Sequence, residues 1–153
     1  MTDRILIDLA QDALVALLDV ALTGVTATRD RALPQADEGQ YDFLNVVLAG
    51  KPPEIQAECM GLAEDLVEVE YVQTYNLEWI VRRPDDAERE AVFGAGLRAI
   101  ETAVLSDLTL GGIARGMTLG PPVFEVNPMV FSPATRACLV PVRVALRGVT
   151  LLS

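Results

Sequence analysis

The residues of this sequence that have the chemistry for catalysis are carboxylates and thiols, because the chain contains no histidine. Its two cysteines, Cys59 and Cys138, stand far apart in the sequence. That spacing excludes a CxxC or Cys/His zinc site, and the missing imidazole excludes Ser-His and Cys-His nucleophile pairs. We expect both thiols to be small buried core residues, which is the usual place of a free cysteine.

Three acids lie on the polar phase of one long alternating segment: Glu68, Glu70 and Glu78. Glu68 and Glu70 are two residues apart and therefore share one face of a strand, a spacing from which two carboxylates can bind a divalent cation. No third ligand is identifiable. We therefore interpret these acids as part of a solvated strand face and expect no metal site.

A second set of polar residues lies in the segment Asp107-Leu108-Thr109-Leu110-Gly111-Gly112. A glycine pair can bind a phosphate, but this pair follows a helix rather than a strand, and no Lys or Ser/Thr stands at phosphate-loop spacing. We interpret Asp107 and Thr109 as turn and cap residues, and the two glycines as a sharp exit from the helix. The sequence therefore predicts no catalytic residue and no cofactor.

Composition indicates one acidic domain. The 153 residues are 51% hydrophobic and carry a net charge of −10, which suits a single core spanning 1–153. Between residues 37 and 78 ten acids face one base, and from residue 109 onward four arginines face one acid. A solvated acidic surface explains this asymmetry, and so do complementary faces on neighbouring subunits. We expect no nucleic-acid binding, no membrane partner and synthesis in the cytoplasm.

The elements are organised around the segment from Val67 to Val81, where apolar and polar residues alternate with period two. Such alternation predicts a sheet with one packed and one wet face. At about 3.3 Å per residue the strand is long, so we expect a bend near 73–76 or a projecting end. Before this segment the sequence predicts a helix over about 3–21 begun by Thr2 or Asp3, a strand over 25–31, a loop over 33–41 and a buried strand over 43–49. Residues 55–62 could form a short helix, or residues 54–65 a mobile loop. After the segment it predicts a helix from a capping box at Asp85 and Glu88 to 105–107, an edge strand over 123–131 broken by Pro128, and a strand over 138–147.

The predicted fold class is α+β, with a mostly antiparallel or mixed sheet of four to six strands and two main helices packed on one face. Gly94 and Gly96 interrupt the second helix, and each costs about 1 kcal/mol relative to alanine. They indicate a contact that larger side chains would block. In the last strand Pro141 has no N–H to donate, which predicts a sheet edge or a locally open position.

This order of elements resembles the tail terminator (tail completion) proteins of long, non-contractile phage tails and of the related gene transfer agents. The resemblance covers most of the chain, and residues 51–65 lie outside it. The residues that carry it are the segment 107–112, the strand Tyr75–Val81, the segment Val25–Asp30 after the first helix, and the closing strand Leu139–Leu146.

The resemblance implies a virion protein that is assembled in the bacterial host cytoplasm as a homo-hexameric ring. Such a ring caps the head-proximal end of the tail, stops polymerisation of the tail tube protein and meets the head completion or connector protein. An acidic pore would let DNA pass without binding it. Asp107, Thr109, Leu110, Gly111 and Gly112 would then be scaffold residues that fix the second helix against the sheet.

The candidate residues for subunit or partner interfaces come from both the acidic segment and the arginine-rich segment of the chain. Two other interpretations stay open. One is a head–tail neck or minor tail protein in the same particle, and the other is an unrelated acidic binding module or small enzyme. The candidate interface residues are Glu68, Glu70, Glu78, Arg136, Arg143 and Arg147.

Overall fold

The computed structural model describes residues 4–32, 40–60, 67–125 and 134–148, without the side chains of 56–60, 67, 68 and 125. Ten elements follow one another in these ranges. They are helix α1 (Leu6–Asp19), strands β1 (Ala27–Arg29), β2 (Tyr41–Leu48), β3 (Glu54–Met60) and β4 (Val67–Arg82), helix α2 (Asp86–Ser106), a short 3-10 turn (Leu110–Gly112), and strands β5 (Gly116–Leu119), β6 (Val123–Glu125) and β7 (Thr135–Gly148).

The strands form one mixed sheet in the order β1-β2-β4-β7-β5, in which β3 also pairs with β4 and β6 also pairs with β7. Every pairing is antiparallel except that of β1 with β2. This confirms the predicted α+β class. The sheet has seven strands rather than four to six, because the short strands β3 and β6 extend its two sides.

The long alternating segment is β4, and it is the central strand of the sheet. On one side β7 pairs with it from Val69 to Arg82. On the other side β3 pairs with its first half and β2 with its second half, so its start does not project alone. Gln73 is the one polar residue on the apolar phase, and it is buried, with Nε2 donating to the backbone oxygen of Thr74 at 3.0 Å.

The prediction of a short helix or mobile loop after the prolines was wrong, because residues 54–60 form strand β3. Pro52, Pro53 and Gly61, which flank this segment in the sequence, are of residue types that favour turns. Between them Ile55, Ala57 and Cys59 alternate with polar residues, and this period of two indicates a strand. Pairing with β4 supplies the hydrogen bonds that a seven-residue strand lacks by itself.

Both helices lie near their predicted positions, but their first turns differ from expectation. Helix α1 begins at Leu6 with Ile5 at the N-cap and no side-chain cap bond; the expected caps at 2 and 3 lie outside the described residues. In α2 the Asp85 carboxylate accepts from the N–H of Ala87 at 3.1 Å. Glu88 does not complete a capping box but lies 3.5 Å from Nε of Arg83.

The main core lies between the two helices and one face of the sheet. Trp79, Tyr71 and Tyr75 are its largest buried side chains, and all three lie on the apolar phase of β4. The Tyr75 hydroxyl donates to the backbone oxygen of Ile7 at 2.6 Å, which ties α1 to the sheet. On the opposite face a smaller buried cluster consists of Phe43, Ile80 and Ala137. In the described part of the chain, no helix is long and apolar enough to cross a membrane.

Helix α1 is attached to β1 and β2 by polar contacts that hydrophobic periodicity did not reveal. Gln11 is 1% exposed, and its Nε2 donates to the backbone oxygen of Val46 at 3.0 Å and to Asp30 at 3.1 Å. Arg29 donates to Asp8 at 2.9 Å and Asp12 at 2.7 Å. These carboxylates raise the pKa of the Arg29 guanidinium, with Asp12 as the largest cause.

The closing strand β7 has the predicted faces, with Val140, Val142 and Val144 buried and Arg143 exposed. It lies inside the sheet, between β4 and the pair β5 and β6. Pro141 is therefore not at an edge. It stands between the residues of β7 that pair with β5 and those that pair with β6. Of the two predicted alternatives, this arrangement corresponds to the locally open position.

Candidate assembly surfaces

The predicted motif at residues 107–112 forms a closed turn at the end of α2. The Asp107 carboxylate organises this turn. Its Oδ1 accepts from the N–H and the hydroxyl of Thr109 at 3.2 and 3.1 Å, and its Oδ2 accepts from the N–H of Gly111 at 2.9 Å. Both oxygens thus accept hydrogen bonds from backbone and side-chain donors of the same turn. This is the structural role that the sequence predicted for Asp107.

The glycines of the motif are required by backbone conformation. Gly111 and Gly112 have φ values of 68° and 97°, in the region that L-residues rarely adopt. Leu110 also has a positive φ, 49°, and its side chain is buried in the main core. The turn contacts α1 as well as ending α2. It therefore holds the end of α2 next to α1 and directs the chain into β5.

Three candidate arginines on β7 form ion pairs within the chain. Arg143 donates to Glu54 at 2.6 Å, and Arg147 Nε lies 3.9 Å from Glu70. Arg136 donates to both oxygens of Glu90 at 3.0 and 3.1 Å. Part of the charge asymmetry is therefore balanced inside one chain.

The candidate acids of β4 lie on the polar phase of the strand, as predicted. Glu70 and Glu78 are half-buried, and Glu78 accepts from Asn45 Nδ2 at 2.8 Å. Glu70 is near Arg147. The Glu68 side chain lies outside the described part. Among the residues that the structure describes, no three metal-binding side chains come together.

Arg136 joins α2, β6 and β7 through its guanidinium. The group lies 5.0 Å from the ring centre of Phe93 and 5.3 Å from that of Phe124, and the two ring centres are 6.3 Å apart. Phe93 is buried, whereas Phe124 is 47% exposed. The cation therefore covers the buried ring of Phe93 and also contacts the exposed ring of Phe124. A cation–π contact at such an exposed site contributes about 0.5–1 kcal/mol to stability.

Apart from Leu9 on α1, which is 37% exposed, the large hydrophobic side chains exposed among the described residues lie at three places. One group, Val20, Leu105 and Leu108, lies at the C-terminal ends of α1 and α2. The second, Leu48 and Ile55, lies at the end of β2 and the start of β3, and the third lies on β6 and the adjacent part of β7. Exposed fractions are 84% for Val20, 60% for Leu105, 40% for Leu108, 42% for Leu48, 52% for Ile55, 61% for Val123, 47% for Phe124 and 36% for Leu139.

The sequence pattern does not mark Leu48, Ile55 or Val123 as surface residues. Among the described residues, Ile55 and Val123 lie on strands with a neighbour on one side only, since β3 pairs with β4 and β6 with β7. Leu48 lies at the end of β2, beyond the residues that pair with β1. Residues of such strands are shielded by fewer neighbours than those of β4. A pattern of alternation identifies a strand but does not say whether the strand stands at an edge.

Two of the grooves that flank α2 are mostly apolar. One, of about 380 Å³, lies between α1 and α2 and is lined by Leu17, Val20, Ala99 and Thr102 among others. The other, of about 350 Å³, lies between α2 and the connection from β5 to β6, where Leu97, Leu119 and Pro121 line it. The polar residues of the linings are Arg98, Thr102 and Ser106 in the first groove, and Arg98 and Glu101 in the second.

Cys138 is a core residue, as predicted. It is 2% exposed, and burial raises the pKa of its thiol to about 11. The thiol therefore stays protonated at neutral pH and packs as a small apolar group. The Cys59 side chain lies outside the described residues, so its predicted burial stays a prediction.

No family model and no curated protein matches this chain. Among solved structures, the chain is similar to one in the structure described as "Virion of native gene transfer agent (GTA) particle". The similarity covers 94% of this chain and 92% of that chain, with 15% identical residues and a TM-score of 0.44. At this level of similarity, the function of the chain has to follow from its own residues and contacts.

Proposed function

We propose that this protein is a structural subunit of a phage or gene transfer agent particle, specifically a tail terminator. In this role six copies form a ring on the head-proximal end of the tail tube, in the virion. The ring stops polymerisation of the tube protein and presents a surface to the head completion or connector protein. The subunit has no catalytic activity and no cofactor, and its DNA contact is limited to passage through the pore.

The observation that carries this proposal is the geometry of the turn at 107–112. These residues are the compact motif through which the sequence resembles tail terminators. The Asp107 carboxylate is used on donors of the turn itself, Leu110 is in the core, and both glycines have positive φ. The motif thus has a complete structural role in joining α2 to the sheet, which supports a scaffold function for it.

The first test is the mass of the particle in solution, alone and with purified tail tubes. We expect a species of about 99 kDa, six times the 16.5 kDa of the chain, and binding to one end of the tubes. Tube protein that polymerises in its presence should give tubes of limited length. A chain that remains monomeric and does not bind tubes would contradict the proposal.

Electron microscopy of particles assembled without the protein separates a terminator from a neck protein. Loss of a terminator leaves the tube free to grow, so overlong tails are expected. Tails of normal length lying free of the heads would instead identify a head–tail neck protein. Turnover of a small molecule that is lost in Asp107→Ala protein of unchanged folding would favour the enzyme interpretation over both.

A further inference from the structure

We infer that helix α2 packs antiparallel on α2 of a second copy of this chain, about a two-fold axis, through the side that faces away from the sheet. This outward side carries Gly94, Arg98, Glu101 and Leu105, which recur at spacings of three and four and therefore share one face of the helix. A two-fold contact differs from the contacts around a ring, whose copies meet head to tail. The inference therefore goes beyond the proposed function and concerns the pairing of free chains.

The outward side of α2 has less charge than a solvent-facing helix side usually has. Arg98 and Glu101 are the only charged residues in the range 91–106. The other exposed residues of this range are Ala91, Ala95, Thr102, Leu105 and Ser106. Leu105 is 60% exposed. A helix that is apolar on its outer side as well as on its core side is typical of a helix that is covered on both sides, so we expect a further layer over α2.

Charge on the outward side fits a second copy in the antiparallel direction. Arg98 and Glu101 are exposed, and no ion pair of the described residues includes either of them. In an antiparallel contact centred between these two positions, Arg98 of each copy lies opposite Glu101 of the other, which gives two reciprocal ion pairs. A parallel contact would place Arg98 opposite Arg98, and like charges in that position repel.

Side-chain size fits the same centre. Positions 94 and 105 are equally far from it, so Gly94 of each copy lies opposite Leu105 of the other. A Cβ at position 94 would meet only Arg98 Nη1, at 3.7 Å, which shows that this side of the helix has room for an incoming side chain. One turn further out, Ala91 and Leu108 repeat the pairing of a small with a large residue, and Leu108 is 40% exposed. The contact would therefore remove both leucines from water.

Helix α1 contributes to the same surface. Leu17 and Val20 line the groove between α1 and α2 together with Ala99 and Thr102, so this part of α1 lies beside the centre of the contact. A two-fold axis that makes the α2 helices antiparallel keeps α1 on the same side in both copies, and each α1 then faces the other. Val20, which is 84% exposed, would be covered by this arrangement.

The test reverses the two charges one at a time. Arg98→Glu places acid opposite acid, and Glu101→Arg places base opposite base. At concentrations too low for rings, wild type should sediment as a dimer of about 33 kDa, twice the 16.5 kDa of the chain. Each single variant should raise the dissociation constant of this dimer at least about tenfold. Arg115→Glu is the matched control, because it makes the same change at an exposed arginine outside α2 and should dimerise as wild type does.

Recombining the reversed charges makes the test specific for the reciprocal pairs. The double variant Arg98→Glu with Glu101→Arg should dimerise as wild type does. An equimolar mixture of the two single variants should also form dimers, because the acids of one copy then lie opposite the bases of the other. The melting temperatures of the single variants should equal that of wild type, since both side chains are exposed. Single variants that dimerise as wild type does would overturn the contact.

Disulfide trapping reads the register of the contact at any concentration, with or without rings. In a Cys59→Ser background, the double variant Gly94→Cys with Leu105→Cys should form a covalent dimer on mild oxidation, whereas each single cysteine variant should not. Wild-type chains that stay monomeric, together with a double variant that is not trapped, would overturn the contact. Binding to tube ends is measured separately, so the proposed function would be unaffected by that result.

Discussion

Gly96 of helix α2 packs directly on the indole ring of Trp79. A Cβ atom at position 96 would lie 2.8 Å from Nε1 of Trp79 and closer still to Cζ2. The same Nε1 donates to the backbone oxygen of Phe93, one turn earlier in the helix, at 3.1 Å. One buried side chain of the central strand thus fixes the distance of α2 from the sheet by contact and its position by a hydrogen bond.

This contact predicts opposite effects for the two glycines in the middle of α2. Gly96→Ala should destabilise the protein by about 1–3 kcal/mol, because the methyl group displaces a buried ring. Gly94→Ala is the control, since its Cβ would meet only Arg98 Nη1, at 3.7 Å. It should be neutral or stabilise by up to about 1 kcal/mol through helix propensity. Urea unfolding measures both, and a stable Gly96→Ala protein would contradict the contact.

Glycine is required at positions 111 and 112 of the turn because of backbone conformation and not because of limited space. No atom lies within 4 Å of a Cβ built on Gly111 or Gly112, but both have positive φ. Gly112→Ala and Gly111→Ala should each destabilise by about 1 kcal/mol or more. Gly50→Ala is the control, because that site is equally open without positive φ. Equal melting temperatures for all three variants would contradict this account of the motif.

The sequence predicts an element of this fold well when the interactions that determine the element lie within its own segment, and poorly when they come from residues far away in the chain. The central strand and both helices were predictable because their patterns are long, and the Asp107 turn because its residue types have strong backbone preferences. Strand β3 was missed because its alternation is short and bounded by turn residues, and its hydrogen bonds come from β4. The buried Gln11 was missed because its partners are far away in sequence.

The candidate surfaces were predictable only in part, for the same reason. Charge counting identified Arg136 and Arg143, but their partners Glu90 and Glu54 follow from the pairing of strands and the packing of α2. Exposure of Ile55 depends on which strands stand at the edges of the sheet. A period of two says nothing about strand order, so the surface available to partners has to come from the fold.

The Asp107 carboxylate predicts a graded response to substitution. Asp107→Ala removes the acceptor for three hydrogen bonds and should destabilise by about 1–2 kcal/mol. Asp107→Asn keeps Oδ1 as an acceptor for Thr109, but its amide nitrogen cannot accept from Gly111, so its effect should be smaller. Thermal unfolding of the two variants measures the order. A larger loss for Asn than for Ala would contradict the hydrogen-bond assignment.

Asp12 predicts a pH dependence of stability. The hydrogen bond from Arg4, followed by that from Arg29, lowers the pKa of Asp12 below its ordinary value of 3.8. A lowered pKa in the folded state stabilises the protein above the unfolded pKa, and this contribution is lost as the pH falls through the folded value. The difference in unfolding free energy between wild type and Asp12→Asn should therefore be constant above about pH 5 and shrink below pH 3.8.

A second variant connects this pH dependence to its cause. In an Arg4→Gln background the Asp12 carboxylate loses one of its two arginine partners and keeps Arg29. The decrease in the free-energy difference at low pH should therefore be smaller and should end at higher pH. Urea unfolding of the four proteins between pH 2.5 and 6 provides the comparison. A difference that grows as the pH falls would reverse the sign and contradict the ion pairs.

The pair of Arg143 and Glu54 separates folding from assembly. Their side chains are 48% and 53% exposed, so Arg143→Glu should destabilise the monomer by less than about 1 kcal/mol. The double variant Arg143→Glu with Glu54→Arg keeps an ion pair inside the chain while it exchanges the charges on the two strands. If this surface also contacts a neighbouring copy, the double variant should recover monomer stability but not assembly. Chemical unfolding and light scattering in low salt measure the two properties separately, and full recovery of assembly would confine the pair to a role within the monomer.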